Sequence, residues 1–319
     1  MQKRYFYHFV IVVPVLVLLT ACPKNNKQPS KSKVATANTV TNLDSATLIH
    51  HLSVLSADNM AGRETGTPGN KLAQDYIVKI FDSLKLIKPG NSYLQPFSFG
   101  HNGQQGTNII GYLKGTSYPD SFIVITAHYD HLGTRNGTIY YGTDDNASGT
   151  AALLTMAQYF KEHAPRHSLL FVAFDAEEKG LQGSKYFVAN APLPVQHFTM
   201  NLNMDMVSRN DSNEIYASGT FHYPYLKKYV DSVQSYTPIH IMFGHDDPSK
   251  GGSQDWTNQS DHFPFHQSHI PYLYFGVEDH ADYHRPGDTF DKVNKSFYYQ
   301  VCTAITGVVM LLDKQHAIQ

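Results

Sequence analysis

Cysteine is scarce in this chain of 319 residues, with Cys22 and Cys302 the two present. If Cys22 is taken up elsewhere, Cys302 has no partner, and no structural disulfide is expected. Cys302 falls on the apolar stripe of the last helical segment and reads as a small buried hydrophobe. An excess of charge of one sign is also missing: the formal net charge is -2 and the pI about 6.8, which leaves no basic field for nucleic acid. No phosphate-cradling loop or dinucleotide glycine pattern follows a predicted strand, and no internal repeat recurs. The leading apolar run, residues 9–19, is too short for an ordinary membrane-spanning helix.

That run has another reading. Lys3 and Arg4 precede it, and Leu19-Thr20-Ala21-Cys22 follows, which together make the charged, apolar and small-residue parts of a secretory signal. A cysteine directly after Leu-Thr-Ala resembles the lipobox of bacterial lipoproteins. The resemblance implies a signal peptide at 1–21, an acylated Cys22, and an exported protein held by lipid in the bacterial cell envelope, on the periplasmic or outer-membrane face. A plain secreted protein or an uncleaved anchor are the other readings. Residues 22–42 carry no apolar periodicity and read as a flexible tether. Residues 43–319 are long enough for one large domain with a substantial core.

Within that domain, residues 169–174 are continuously apolar and rich in β-formers, the pattern of a strand buried on both faces of a largely parallel sheet. Further strands are expected near 93–99, 107–113, 122–127, 198–204, 214–217, 239–243 and 270–275. Helices are expected around Leu48, Leu52 and Leu55; after Thr67-Pro68, an N-cap followed by a first-turn proline; from Ser148 onward; at 183–189 and 225–233; and at the C-terminus. Residues 245–260 are polar and read as a long loop, which in a compact domain is usually functional. The alternation argues for a three-layer α/β/α sandwich around a mixed, largely parallel sheet.

The chemistry gathers where strands finish. The central run breaks into Asp175, Glu177 and Glu178; another strand ends at His128, a third at Asp205, and a fourth shortly before a loop dense in His and Asp. Parallel strands bring their carboxyl ends to one edge, where ligands bind. Asp145, immediately before a helix, can be aimed at that edge. Acids crowded beside a sheet's interior repel one another, and a metal cation is the usual compensation.

His128-x-Asp130, Asp145-Asn-Ala-Ser-Gly149, Glu177-Glu178, Asn203-Met-Asp205-Met and Tyr283-His284 resemble, in order, the motifs of the zinc aminopeptidases that carry two co-catalytic metals, among them the bacterial leucyl aminopeptidases and the vacuolar aminopeptidase Y type. Met60-Ala-Gly-Arg-Glu-Thr-Gly66 is similar to the family's early loop, so the likeness spans nearly the whole domain. It implies a zinc-dependent exopeptidase fold and two zinc ions. His128 and Asp205 would hold one ion, Glu178 and His284 the other, with Asp145 bridging both. It also implies Glu177 as general base and Asp130 as the acid that accepts the outer N–H of His128. A cis peptide is implied at Asp145-Asn146. The substrates would be peptides with a free N-terminus, and no obligatory protein partner is evident.

Two rivals share the fold: glutaminyl cyclases, which use one zinc and keep part of the ligand set, and receptor-like relatives that bind peptides without catalysis. Other residues read as structural. His131, His245, His262, His266, His269 and His280 are expected to be surface or loop histidines, since 18 histidines dilute the meaning of any one. Ser260-Asp261-His262 cannot form a triad, because adjacent residues do not meet side chain to side chain; it is expected to support the site wall. Asp246, Asp247 and Asp255 lack the spacing of a calcium loop. Arg63 and Arg285 could meet a substrate carboxylate or serve packing.

Overall fold

The computed structural model describes residues 42–318, together with Gln2, Tyr5 and His8. The signal segment, Cys22 and the expected tether up to residue 41 therefore lie outside the described residues, those three aside. The described residues from 42 onward belong to one unit.

Two helices come first, α1 (Ser45–Leu55) and α2 (Pro68–Ser83). Asp44 caps α1 by accepting the N–H groups of Ala46 and Thr47, and Thr67 caps α2 with Pro68 in its first turn. Then follow β1 (Leu94–Phe99), β2 (Gln104–Leu113), β3 (Tyr118–His128), the small hairpin β4 (Gly133–Arg135) and β5 (Thr138–Tyr140), α3 (Gly149–Glu162), β6 (His167–Phe174), α4 (Gln182–Ala189), β7 (Phe198–Met204), β8 (Glu214–Ser218), α5 (Lys227–Gln234), β9 (His240–Met242), α6 (Phe263–Gln267), β10 (Tyr272–Gly276) and α7 (Lys295–Asp313). The expected strands and helices are present with shifted ends. The hairpin and α6 were not anticipated, because three- and five-residue elements carry too few residues for a period to register.

Eight strands form one sheet in the order β1-β2-β6-β3-β7-β10-β8-β9. The pairs β6/β3, β3/β7, β7/β10 and β8/β9 are parallel; β1/β2, β2/β6 and β10/β8 are antiparallel. The mixed sheet thus has a parallel centre, β6-β3-β7-β10, whose carboxyl ends share one edge. Successive residues of β6 point to opposite faces. Leu169, Phe171 and Ala173 enter the larger core with α1, α2, α3 and α7, while Leu170, Val172 and Phe174 pack with Phe187 of α4 and Phe265 of α6. All eight residues of β6 are buried, so the strand is held from both sides, each large apolar side chain contributing roughly 1.5–3 kcal/mol on burial. Among the described residues, no helix is long and apolar enough to cross a membrane.

Candidate metal centre

The four central strands bring residues at or beyond their carboxyl ends to a common site. His128 is the last residue of β3, and Thr150 fixes its carbonyl with a 2.7 Å hydrogen bond. Its Nε2 lies 3.1 Å from Asp205 Oδ1 and 3.4 Å from Asp145 Oδ1. Asp205 follows β7 directly. From the far side, His284 Nε2 approaches Asp145 Oδ2 at 3.0 Å and Glu178 Oε2 at 3.4 Å. The five side chains expected to act as ligands therefore meet, and Asp145 stands between two groups with one oxygen turned to each.

Local chain geometry explains how Asp145 gets there. Residues Thr143–Ser148 form a wide helical turn ahead of α3, and the Asp145-Asn146 peptide is cis, as expected. Asp288 braces the turn by accepting the N–H of Asp144 at 3.0 Å and of Asp145 at 3.1 Å. The Asn146 side chain donates to Met204 O at 2.8 Å and accepts from Gly149 N at 2.8 Å, tying the turn to the end of β7.

The acidic pair after β6 is held by Asp130, whose carboxylate accepts the N–H of Glu177 at 3.1 Å and of Glu178 at 3.3 Å. Asp130 thus has a role beside the expected one. The outer nitrogen of His128, Nδ1, lies 3.2 Å from the Asp130 carbonyl and 3.6 Å from its carboxylate, so the backbone oxygen is the nearer partner. Asp130 positions the loop at least as much as the imidazole. Asp175 stays out of the site; it accepts from Thr65, Asn70, Thr107 N and Ala176 N.

Electrostatics follow from crowding. Burial, offset by His128 but reinforced by Asp261 and Asp205, pushes the Glu177 carboxyl well above its ordinary range. Burial and the charge of Glu178 push Asp145 up. For His284 burial opposes the charged form, yet Asp145 and Glu178 outweigh it and raise the group to about 10. Burial likewise opposes charging of His128, but Asp205 and Glu177 carry it well above the usual value. So many acids at one edge call for positive charge. Among the described residues, the buried Asp145 Oδ2 and Glu178 Oε1 also lack a hydrogen-bond partner. Two donor sets, His128 with Asp145 and Asp205, and His131 with Asp145 and Glu178, are each spaced to hold a metal ion. Mixed imidazole and carboxylate donors suit zinc, with manganese or cobalt also compatible.

His131, expected to be a surface or loop histidine, does lie in a loop but is fully buried, its Nδ1 2.8 Å from Glu178 Oε1. The available signal was its place three residues after His128, but the contacts with Arg63 and Gly142 that hold it inward are not legible in the sequence. His245 and His262 are buried as well. His245 stacks on Trp256 with centroids 3.8 Å apart, and His262 Nε2 lies 3.0 Å from Trp256 O. His280 is half-buried, its Nε2 3.3 Å from Asp144 Oδ2. Arg63 is buried and serves packing, donating to the carbonyls of Leu55, Tyr129, Tyr141 and Gly142; Arg285 is exposed. Asp246 caps a turn by accepting Gly219 N and Phe221 N. A pocket opens over the site, walled by Glu177, Trp256, Gln259, Tyr274, Asp279 and Tyr283.

A metal-binding edge on a mixed α/β sheet defines the class, and the sequence profile of Peptidase family M28 matches residues 108–309; the chain belongs to that family. Among curated relatives, it is 28% identical over 262 residues to Aminopeptidase YwaD of Bacillus subtilis (strain 168), covering 79% of this chain and 52% of that protein. It is 29% identical over 291 residues to Leupeptin-inactivating enzyme 1 of Streptomyces exfoliatus, covering 87% of this chain and 60% of that protein. The chain thus spans between half and three fifths of the length of these two relatives. In fold it is similar to an aminopeptidase from Aneurinibacillus sp. strain AM-1, with a TM-score of 0.69, 17% identity, and coverage of 85% of this chain and 94% of that one. It is also similar to a Bacteroides thetaiotaomicron glutaminyl cyclase bound to N-acetylhistamine, with a TM-score of 0.67, 18% identity, and coverage of 85% and 99%. These likenesses confirm the zinc-exopeptidase type of α/β fold.

Proposed function

We propose that this protein is a metallo-exopeptidase, a zinc-dependent aminopeptidase that removes N-terminal residues from peptides. The observation that carries the reading is the division of the Asp145 carboxylate, with Oδ1 facing His128 and Oδ2 facing His284. His128 and Asp205 would hold one zinc ion, Glu178 and His284 the second, and Asp145 both. Bound there, two zinc ions would polarise the scissile carbonyl and make water nucleophilic near neutral pH.

The chain's own residues then divide the remaining work. Glu177, in the pocket wall, accepts the proton of the attacking water and returns one to the leaving amine. Its raised proton affinity suits the second half of that cycle. Asp130 fixes the aim of Glu177 by holding two consecutive backbone N–H groups. Trp256, Tyr274 and Tyr283 flank the cleft with aromatic surface that excludes water and receives the first side chain of the peptide. Asp279 adds a carboxylate to a pocket entered by a cationic α-amine.

The single-zinc cyclase reading is weakened by the second donor set around Glu178. Zinc titration into the metal-free protein should give two equivalents, with hydrolysis of aminoacyl-nitroanilides and none of their N-acetylated forms. One equivalent, together with cyclisation of N-terminal glutamine, would replace this reading. Export and acylation at Cys22 are part of the proposal and rest on the motif alone. Cys22→Ala should move the protein from the membrane to the soluble fraction; wild-type protein already soluble in its native host would overturn the anchor.

A further inference from the structure

We propose that His131 is an additional metal ligand, so that one of the two cations is gripped by four side chains: His131, Asp145, Glu178 and His284. This rests on the dinuclear reading above and deepens it.

The argument begins with burial. The His131 side chain has no solvent exposure, and its Nδ1 lies 2.8 Å from Glu178 Oε1 and 3.6 Å from Asp145 Oδ2. Despite that proximity, the alignment a hydrogen bond needs is missing. Among the described residues neither nitrogen of His131 has a hydrogen-bond partner, and neither do Glu178 Oε1 and Asp145 Oδ2. A buried polar atom without a partner costs about 1–3 kcal/mol, so three facing one another is an arrangement that a single shared cation resolves at once. The spacing agrees: donors each about 2.1 Å from one zinc stand roughly 3.0–3.4 Å apart for angles between right and tetrahedral, close to the separations seen here.

The ring is also held in place. Gly142, at φ +56°, lies so close beneath it that a Cβ there would meet the His131 ring at 2.3 Å. The backbone N–H of His131 donates to Arg63 O at 3.4 Å, and Arg63 in turn binds Gly142 O. The His284 ring closes the other side, centroids 5.8 Å apart and planes inclined at 60°. A histidine serving only to fill space would not need its Nδ1 turned toward two carboxylate oxygens in a socket shaped for its ring.

The two cation positions are then unequal. One set offers three residues, His128, Asp145 and Asp205; the other offers four, and should bind first and tighter. The test is a titration of metal-free protein with Co²⁺, followed by visible absorption, for wild type, His131→Ala and His131→Asn. Wild type should take up two equivalents in steps of unequal affinity. Both variants should weaken the tighter step beyond the roughly 10–100-fold worth of a supporting hydrogen bond, leaving the weaker step in place. Paramagnetically shifted imidazole N–H signals should drop by one. Unchanged affinity in His131→Ala overturns the proposal, as does recovery in His131→Asn, whose amide can still reach Glu178 but is a poor ligand. If His131→Ala fails to fold, by circular dichroism, His131→Asn decides. Uptake of fewer than two ions by wild type is a separate failure, that of the dinuclear reading itself.

Discussion

Ser260 donates a 2.7 Å hydrogen bond to Oδ2 of Asp205, leaving Oδ1 of the same carboxylate 3.1 Å from His128 Nε2. The bond is the end of a chain, since Asn203 donates to Ser260 at 2.9 Å and Thr126 to Asn203 at 2.7 Å. Each donor fixes the next, and the last one orients Asp205. Partners of this kind are worth roughly 10–100-fold in metal affinity. Ser260→Ala should therefore weaken zinc binding by about tenfold while the fold is kept, as read by competition with a chromophoric chelator. An unchanged dissociation constant would remove Ser260 from the support of the site.

Glu177 and Asp145 should separate in mutation. Glu177→Gln is isosteric and removes the proton acceptor but none of the proposed ligands, so zinc content should persist while kcat falls by roughly 10²–10⁴ with KM little changed. Asp145→Ala should lose zinc as well, because both donor sets share it. Elemental analysis beside steady-state kinetics distinguishes the two. A Glu177→Gln rate within a few-fold of wild type would discard the base assignment.

Arg63 makes four hydrogen bonds to carbonyls of Leu55, Tyr129, Tyr141 and Gly142. Burial lowers its pKa to about 10, against which Asp145 and Asp288 act to keep the cation. A lysine ammonium cannot span these separated acceptors as the planar guanidinium does. Arg63→Lys should leave carbonyls unpaired in the interior at roughly 1–3 kcal/mol each, lowering the melting temperature of the metal-free protein by on the order of 10 °C. A melting curve coincident with wild type would contradict this.

His51, on α1 with Nδ1 2.6 Å from the Tyr76 hydroxyl, gives a pH dependence independent of metal. Burial, helped by His50, depresses its pKa from 6.5 to about 4. As pH falls below 6.5 the unfolded chain takes up a proton that the folded chain refuses until about 4, so stability is present above 6.5 and lost on the way down. The loss by pH 5 is roughly 2 kcal/mol. His51→Gln should remove that part of the difference in urea unfolding free energy between pH 7.5 and 5. If wild type and variant lose the same amount, the assignment fails.

How much of this could be read beforehand depended on range. The buried run of β6, the cap and proline that start α2, and the ligand motifs at strand ends are local patterns, and local patterns carry over into structure. His131 shows the limit. Whether His131 turns in or out depends on contacts with Arg63 and Gly142, which sit far from each other in the chain. The same holds for Ser260, whose tie to Asp205 joins residues 55 positions apart. Arg63 offered a packing role or a substrate contact; its four carbonyl partners, spread from Leu55 to Gly142, decided for packing.

The order of the central strands has a consequence for how the site is assembled. The side chains that meet there come from the end of β3, the turn before α3, the loops after β6 and β7 and the loop after β10, so that residues as far apart in the chain as His128 and His284 share one site. The proposed site is thus a product of the whole sheet rather than of any one stretch, and loosening any of these elements would scatter the set.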